Sequence, residues 1–390
     1  YTAGDMLPVV SNSITTLKSA GYTLTEFKNT TSLSVYQLKQ THSAAEFKAA
    51  GYTINELTAV NDFSISQLRL AGGYTSTEMK NAGITATDAK AGGYSLFLLK
   101  SGGYTASELY QANYTALEMK NDGFTDPGEL ISAGYTLQNI HDAEYDSGLL
   151  RAIQYTASQL KAVGYTSTEL KNGGYEAQEL KDADYTAQDM KTAGYNPSTM
   201  RGVGYNASQL KAINYSAGEL KTAGYSASEL KVAAFGSTQM RAAGFTANEL
   251  KDATYTLTEM KTGGYTVSNL KPLYTIQELK DVNFTVSEMK PNYTIQNIID
   301  VGYSINEIYN GGYNVSEMRD AEYTAGEMLP LVSNSVATLK DGGYTLTEFK
   351  NETSLTVGQL KGQFNAGQFK NSGYTITQVR EFNDFTVTQL

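Results

Sequence analysis

The chain has 390 residues, a formal net charge of −10 at pH 7 and no cysteine. The acidic balance disfavours nucleic acid or another polyanion as the main ligand, and the lack of cysteine excludes disulfides and thiolate metal sites. No apolar run approaches the roughly 18 residues that a membrane helix needs, so the sequence predicts no membrane span.

The chain is a tandem array of a ten-residue repeat, close to Tyr-Thr-x-x-Glu-Leu-Lys-x-Ala-Gly, which starts 39 times from Tyr1 onward. We number the positions of each repeat as slots 1 to 10. Slot 1 holds Tyr or Phe in 33 of the 39 repeats, slot 6 is apolar, and slot 7 holds all 30 Lys and Arg residues. This confinement gives each side-chain type one structural role, and it predicts a single continuous array over 1–390 rather than separate domains.

The repeat from Tyr165 to Gly174 shows why each repeat predicts one short helix. Thr166 is placed as the N-cap, and Glu169 follows at the capping-box spacing. Gly174 is placed as the left-handed residue that ends the helix. In other repeats the same role falls to Asn113, Asn214, Asn283 and Asn292. The pattern predicts a helix of about six or seven residues per repeat.

The apolar slots predict how the repeats assemble. Tyr165 and Leu170 form a hydrophobic-staple pair, and Leu170 also meets Tyr175 of the next repeat across a Schellman turn. Helices this short are not stable alone in water, so neighbouring repeats must share this aromatic–leucine seam. We expect an all-α solenoid of short capped helices, one per repeat, with about two repeats per coil and three as the alternative.

A longer period is superimposed on the ten-residue one. Residues 323–390 repeat 1–68 without a gap, which gives a superrepeat of 322 residues, or 32 repeats. The aberrant repeats with Asn12 and Leu33 in slot 1 return with Asn334 and Leu355. Copied irregularities indicate that geometry is being retained. Because Tyr1 begins inside the array without an initiator Met, we expect the chain to be a segment of a longer array.

No catalytic, cofactor or metal motif interrupts the array. His42 stands in a slot-1 position and His141 in a slot-7 position, without a second ligand at metal spacing, so both are interpreted as repeat variants. We predict no enzyme activity and no catalytic, cofactor-binding or metal-binding residue. Eight Asn-x-Ser/Thr sequons are candidate glycosylation sites if the protein is secreted: Asn29, Asn113, Asn206, Asn214, Asn283, Asn292, Asn314 and Asn351.

The cationic and aromatic rows each have two interpretations. The slot-7 lysines could follow an anionic polymer, or they could complement the negative ends of helices beside glutamates of stacked repeats. The excess of acids favours the second interpretation. The aromatic row could stack sugars or bases, or it could form the core with slot 6; its spacing favours the core.

The repeat resembles the decapeptide repeats of α-helical repeat proteins from large DNA viruses and microbial surfaces. The resemblance covers the whole chain, transfers no functional residue and implies a long, non-catalytic, exposed protein. We therefore predict a structural protein that self-associates, or continues as the same array, to form a filament, tube or fibre. Its expected location is extracellular, on a cell surface or on a virion surface. The alternative is a surface adhesin or glycan-binding solenoid, which exposed aromatics along one face would favour.

Overall fold

The structure is a computed structural model that describes residues 1–59 and 63–380. Those residues form 38 α-helices of four to seven residues and no strand, so the predicted all-α fold with one short helix per repeat is confirmed. The chain forms two compact units, Tyr1–Val203 and Gly204–Leu390. The last repeat, which begins at Phe385, and residues 60–62 lie outside the described residues.

The described residues of the first compact unit form twenty helices. They are α1 Ala3–Met6, α2 Ile14–Ser19, α3 Leu24–Thr30, α4 Val35–Leu38, α5 Ala44–Ala49, α6 Ile54–Thr58, α7 Ile65–Leu70, α8 Ser76–Asn81, α9 Ala86–Ala91, α10 Leu96–Ser101, α11 Ala106–Gln111, α12 Ala116–Asn121, α13 Pro127–Ala133, α14 Leu137–Asp142, α15 Ser147–Ala152, α16 Ala157–Ala162, α17 Ser167–Asn172, α18 Ala177–Asp182, α19 Ala187–Thr192 and α20 Pro197–Gly202.

The described residues of the second compact unit continue the same pattern. Their helices are α21 Ala207–Ala212, α22 Ala217–Thr222, α23 Ala227–Val232, α24 Ser237–Ala242, α25 Ala247–Asp252, α26 Leu257–Thr262, α27 Val267–Leu270, α28 Ile276–Asp281, α29 Val286–Met289, α30 Ile295–Asp300, α31 Ile305–Asn310, α32 Val315–Asp320, α33 Ala325–Met328, α34 Val336–Asp341, α35 Leu346–Glu352, α36 Val357–Leu360, α37 Ala366–Asn371 and α38 Ile376–Arg380.

Each helix is started and stopped by its own repeat, as α17 shows. The Glu169 amide donates to Thr166 Oγ1 at 3.2 Å, and the Thr166 amide donates to Glu169 Oε2 at 2.7 Å. Gly174 has φ +87°, and the Tyr175 amide donates to the Leu170 carbonyl at 3.0 Å, which closes the Schellman turn. The predicted capping box and left-handed stop are therefore both confirmed.

Among the predicted asparagine stops, one is wrong. Asn113, Asn214 and Asn283 have φ of 54°, 64° and 65°, as the sequence predicts, whereas Asn292 is not left-handed. Its repeat has nine residues and turns through Lys290-Pro291. The Tyr293 amide therefore donates to the Met289 carbonyl only four residues back, at 3.1 Å, and no left-handed residue is needed.

Alternate helices stack within each compact unit, so that α15 packs on α17 and α21 packs on α23. A hydrogen bond from the slot-1 hydroxyl recurs in many repeats and fixes this register. Tyr165 Oη donates to the Tyr145 carbonyl at 2.8 Å, and Tyr255 Oη donates to the Phe235 carbonyl at 2.5 Å. Each bond spans two repeats, so a coil contains two repeats, as expected, rather than three.

Three slots form the core. Slot-6 side chains such as Leu170 are fully buried, and the slot-1 ring of Tyr165 is 4% exposed. Slot 3 lies against the helix two repeats later: the buried Ser147 hydroxyl donates to the Glu169 carbonyl at 2.6 Å. The aromatic row is therefore core, as its spacing indicates, and its apolar area stabilises the stack of coils.

Candidate functional site

A four-part contact recurs along the array, and we call it the lysine lock. It joins a slot-7 cation to the end of the helix two repeats later and to slots 1 and 5 of the following repeat. Lys28 Nζ donates to the Gly51 carbonyl at 2.6 Å and lies 4.3 Å from the ring centroid of Tyr52. Glu56 Oε2 lies 3.3 Å from the same nitrogen. One cation thus contacts two successive repeats.

The second compact unit repeats this geometry. Lys290 Nζ donates to the Gly312 carbonyl at 2.7 Å, lies 4.2 Å from the Tyr313 ring centroid and forms a 3.0 Å ion pair with Glu317. Ion pairs of the same kind join Lys18 with Glu46, Lys48 with Glu78, Lys80 with Glu108, Arg151 with Glu179, and Arg319 with Glu348. The lock is therefore a property of the repeat.

The lysine lock has a simple electrostatic basis. The last carbonyls of a helix lack intrahelical partners and carry the negative end of its dipole, so a nearby cation is favourable. The prediction that slot 7 complements helix ends is confirmed, but the principal contact is with the helix two repeats later. The hydrogen bond from Lys18 also lowers the pKa of Glu46 to about 2.

Four cavities each lie beside a slot-7 side chain and have the same construction. We call this cavity the crevice: its walls are slots 1 to 4 of one repeat and slots 1, 5, 8 and 9 of the repeat stacked on it. The crevices beside Lys18, His141 and Lys280 have volumes of about 410, 400 and 560 Å³. The crevice beside Tyr110 is larger, at about 670 Å³.

The two histidines occupy slots of the repeat. His42 is 4% exposed, its Nδ1 lies 3.1 Å from the Leu38 carbonyl oxygen, and its Nε2 has no hydrogen-bond partner. Burial lowers the pKa of the His42 imidazole. His141 replaces a lysine and lies edge-on to Tyr165, with ring centroids 4.7 Å apart. The described part of the chain contains no group of three His, Asp or Glu residues that could hold a metal.

Most of the candidate glycosylation sites are exposed. The exposed asparagines are Asn29, Asn113, Asn206, Asn214, Asn283, Asn314 and Asn351, whereas Asn292 is half-buried. Two of them also act as N-caps: Oδ1 of Asn206 accepts from the Gln209 amide, and Oδ1 of Asn314 accepts from the Glu317 amide. Glycosylation stays a prediction at all eight positions.

Exposed aromatics are scattered. Over 1–59 and 63–380, the strongly exposed aromatic rings are those of Tyr1, Tyr36 and Phe97, and they do not form a row at repeat spacing.

The described residues contain no helix with both the length and the apolar character required to cross a membrane.

Capped helices at two per coil, joined by internal locks, define a repeat protein of the α-helical solenoid class. Residues 73–147, 144–217 and 204–273 match the family described as decapeptide repeat region, and these segments together cover just over half of the chain. The chain belongs to the decapeptide repeat family. Comparisons with curated proteins and with solved structures give no match.

Proposed function

We propose that this decapeptide repeat protein is a non-catalytic structural component that self-associates into a filament, tube or fibre. The observation that carries the proposal is the use of every recurring side chain within the fold. Slots 1 and 6 form the core, slots 2 and 5 cap helices, and slot 7 forms the lysine locks. The repeat thus supplies a scaffold and no recurring group with another chemical role.

The superrepeat supports the same proposal. Both copies contain four-residue first helices, α1 and α33, and seven-residue third helices, α3 and α35. Both also contain a left-handed pair before their second helix, Ser11-Asn12 and Ser333-Asn334. A left-handed serine is unfavourable, so its recurrence indicates that this turn geometry is needed once in every 322 residues.

The adhesin or glycan-binding alternative loses its main sequence argument, because most rings of the aromatic row are buried and the rest are, apart from Tyr1, half-buried in the described residues. The extracellular, cell-surface or virion-surface location is part of our proposal. It is supported by the absence of cysteine and by the exposed sequons.

Electron microscopy of native material tests the proposal directly. We expect filaments or tubes whose axial repeat is commensurate with the 322-residue period, because heterologous contacts that do not close generate open polymers. A matched control replaces the irregular repeats of 1–58 and 323–380 with ten-residue consensus repeats. The control should keep its helices and lose the axial period. Only dispersed molecules in native material would contradict self-association.

A further inference from the structure

One of the four crevices lacks both charged groups of the lysine lock. In the crevice beside Lys280, slot 7 is cationic, slot 5 of the stacked repeat is Glu307 and slot 4 is the polar Ser287. In the crevice beside Tyr110, the corresponding residues are Tyr110, Asn139 and Leu117. The slot-7 cation and the slot-5 acid are therefore both replaced by uncharged groups in the largest of the four cavities.

The replacement creates an aromatic wall. The rings of Tyr110 and Tyr135 meet edge to face, with centroids 4.8 Å apart. Tyr135 is buried and Tyr110 is only half-buried, so the second ring extends the first towards solvent. Gly134 makes this possible, because a Cβ there would lie 2.9 Å from the Tyr110 ring.

Hydrogen-bonding groups surround that wall. Gln111, Asn113, Asn139 and Asp142 line the crevice, and all four are exposed. They provide three side-chain amides and one carboxylate and no cation. Leu117 lines the mouth with 47% of its surface exposed. A cavity with aromatic and apolar walls and a few polar groups is typical of small-molecule sites.

We propose that the Tyr110 crevice binds a neutral oligosaccharide. The electron-rich face of an aromatic ring attracts the polarised C–H groups of a pyranose, and amide and carboxylate side chains pair with its hydroxyls. None of the side chains that line the crevice is cationic, so the lining offers no charged partner to a phosphate or sulfate group. The volume of about 670 Å³ lies within the range typical of small-ligand pockets. This activity goes beyond the structural role proposed above.

The proposal is tested by titrating the full chain with maltotriose, cellotriose and triacetylchitotriose, using saturation-transfer NMR and calorimetry. We expect one of these neutral trisaccharides to bind at one site. The double variant Y110K/N139E should weaken that binding at least tenfold. It restores the repeat's own residues and a lysine lock, so it should fold as well as the parent chain.

Two further variants make the result specific. Tyr110→Phe keeps the ring and should bind within about threefold of the parent, as stacking requires. Lys280→Met alters the comparison crevice and should leave binding unchanged. The proposal is overturned if none of the three sugars binds, or if Y110K/N139E binds as tightly as the parent.

Discussion

Residues 1–58 and 323–380 are two copies of one segment, yet they hold their coils together differently. Their helices correspond one to one, α1 to α6 with α33 to α38. In the first copy Lys18 pairs with Glu46 at 2.7 Å and Lys28 pairs with Glu56 at 3.3 Å. In the second copy the matching acids are glutamines, at 368 and 378, so neither pair can form.

The cation nevertheless stays in place in the second copy. Lys350 Nζ donates to the Gly373 carbonyl at 2.6 Å and lies 5.1 Å from the Tyr374 ring centroid. Lys340 Nζ donates to the Gln363 carbonyl in the same way. The contact with the helix-end carbonyl is therefore the constant part of the lysine lock, and the glutamate is an accessory.

The largest effect should come from the shared core. Phe27 and Phe349 occupy slot 6 of matching repeats, and both are fully buried. Phe27→Ala and Phe349→Ala should each cost about 3–5 kcal/mol of local stability, because each removes a large apolar side chain and leaves a cavity. Hydrogen exchange of each copy measures this loss. A loss in one copy that is several-fold larger than in the other would contradict a shared core.

Removing the cation of the lysine lock should have the next largest effect on stability. Lys28→Met and Lys350→Met keep most of the apolar stem but remove the donor to the helix-end carbonyl. We expect similar losses of about 1–2 kcal/mol in both copies, although only Lys28 has a glutamate partner. Local hydrogen-exchange protection of α5 and α37 is the measurement. A loss confined to the first copy would show that the ion pair, rather than the carbonyl, anchors the cation.

Lowering the pH should destabilise the first copy more than the second, because the first copy has His42 where the second has Phe364. The folded-state pKa of His42 is lowered by burial between Phe27 and Phe47, with Lys18 adding repulsion and Glu46 opposing the shift. The stabilising effect of the neutral ring is therefore present above pH 6.5 and is lost as pH falls towards the folded-state pKa.

The measurement is the protection of α2 to α5 between pH 7 and pH 5. We expect protection to fall in the parent chain and to stay constant in the variant His42→Phe, which copies Phe364. The matching helices α34 to α37 serve as the internal control. An equal fall in both copies would exclude His42 as the cause.

Local structure was predictable because its determinants lie within one repeat. The cap Thr166, its partner Glu169 and the stop Gly174 are close in sequence, and the structure confirms all three roles. The left-handed stop predicted at Asn292 is wrong because a nine-residue repeat changes how the turn closes. The repeat from Phe124 has eleven residues, and its helix begins one residue later than in a ten-residue repeat, after the N-cap Asp126.

Contacts between coils were harder to predict, because they join residues about 20 to 30 positions apart. The sequence predicts that slot-7 cations lie near helix ends, but it does not identify the helix two repeats later as the acceptor. One signal was available: glycine in slot 9 often follows a Ser or a β-branched residue in slot 3 two repeats earlier. At Gly173 a Cβ would lie 2.1 Å from Ser147 Oγ, so only glycine fits without a shift. The Tyr110 crevice had a similar signal in the loss of both lock charges.

The smallest effect should come from the accessory glutamate. Glu46→Gln makes the first copy resemble the second, where Gln368 stands. Because the Glu46 side chain is 42% exposed, solvent screens its ion pair, and we expect a loss of under about 1 kcal/mol at pH 7. The folded-state pKa of about 2 lies below the ordinary value of 4.5, mainly because Lys18 donates to the carboxylate. This stabilisation is therefore present above pH 4.5 and is lost between pH 4.5 and about 2.

Thermal melts across that range, in the His42→Phe background to remove the histidine effect, should converge for the parent and Glu46→Gln. A gap that persists at pH 2 would mean that the stabilising effect of Glu46 does not depend on its ion pair with Lys18.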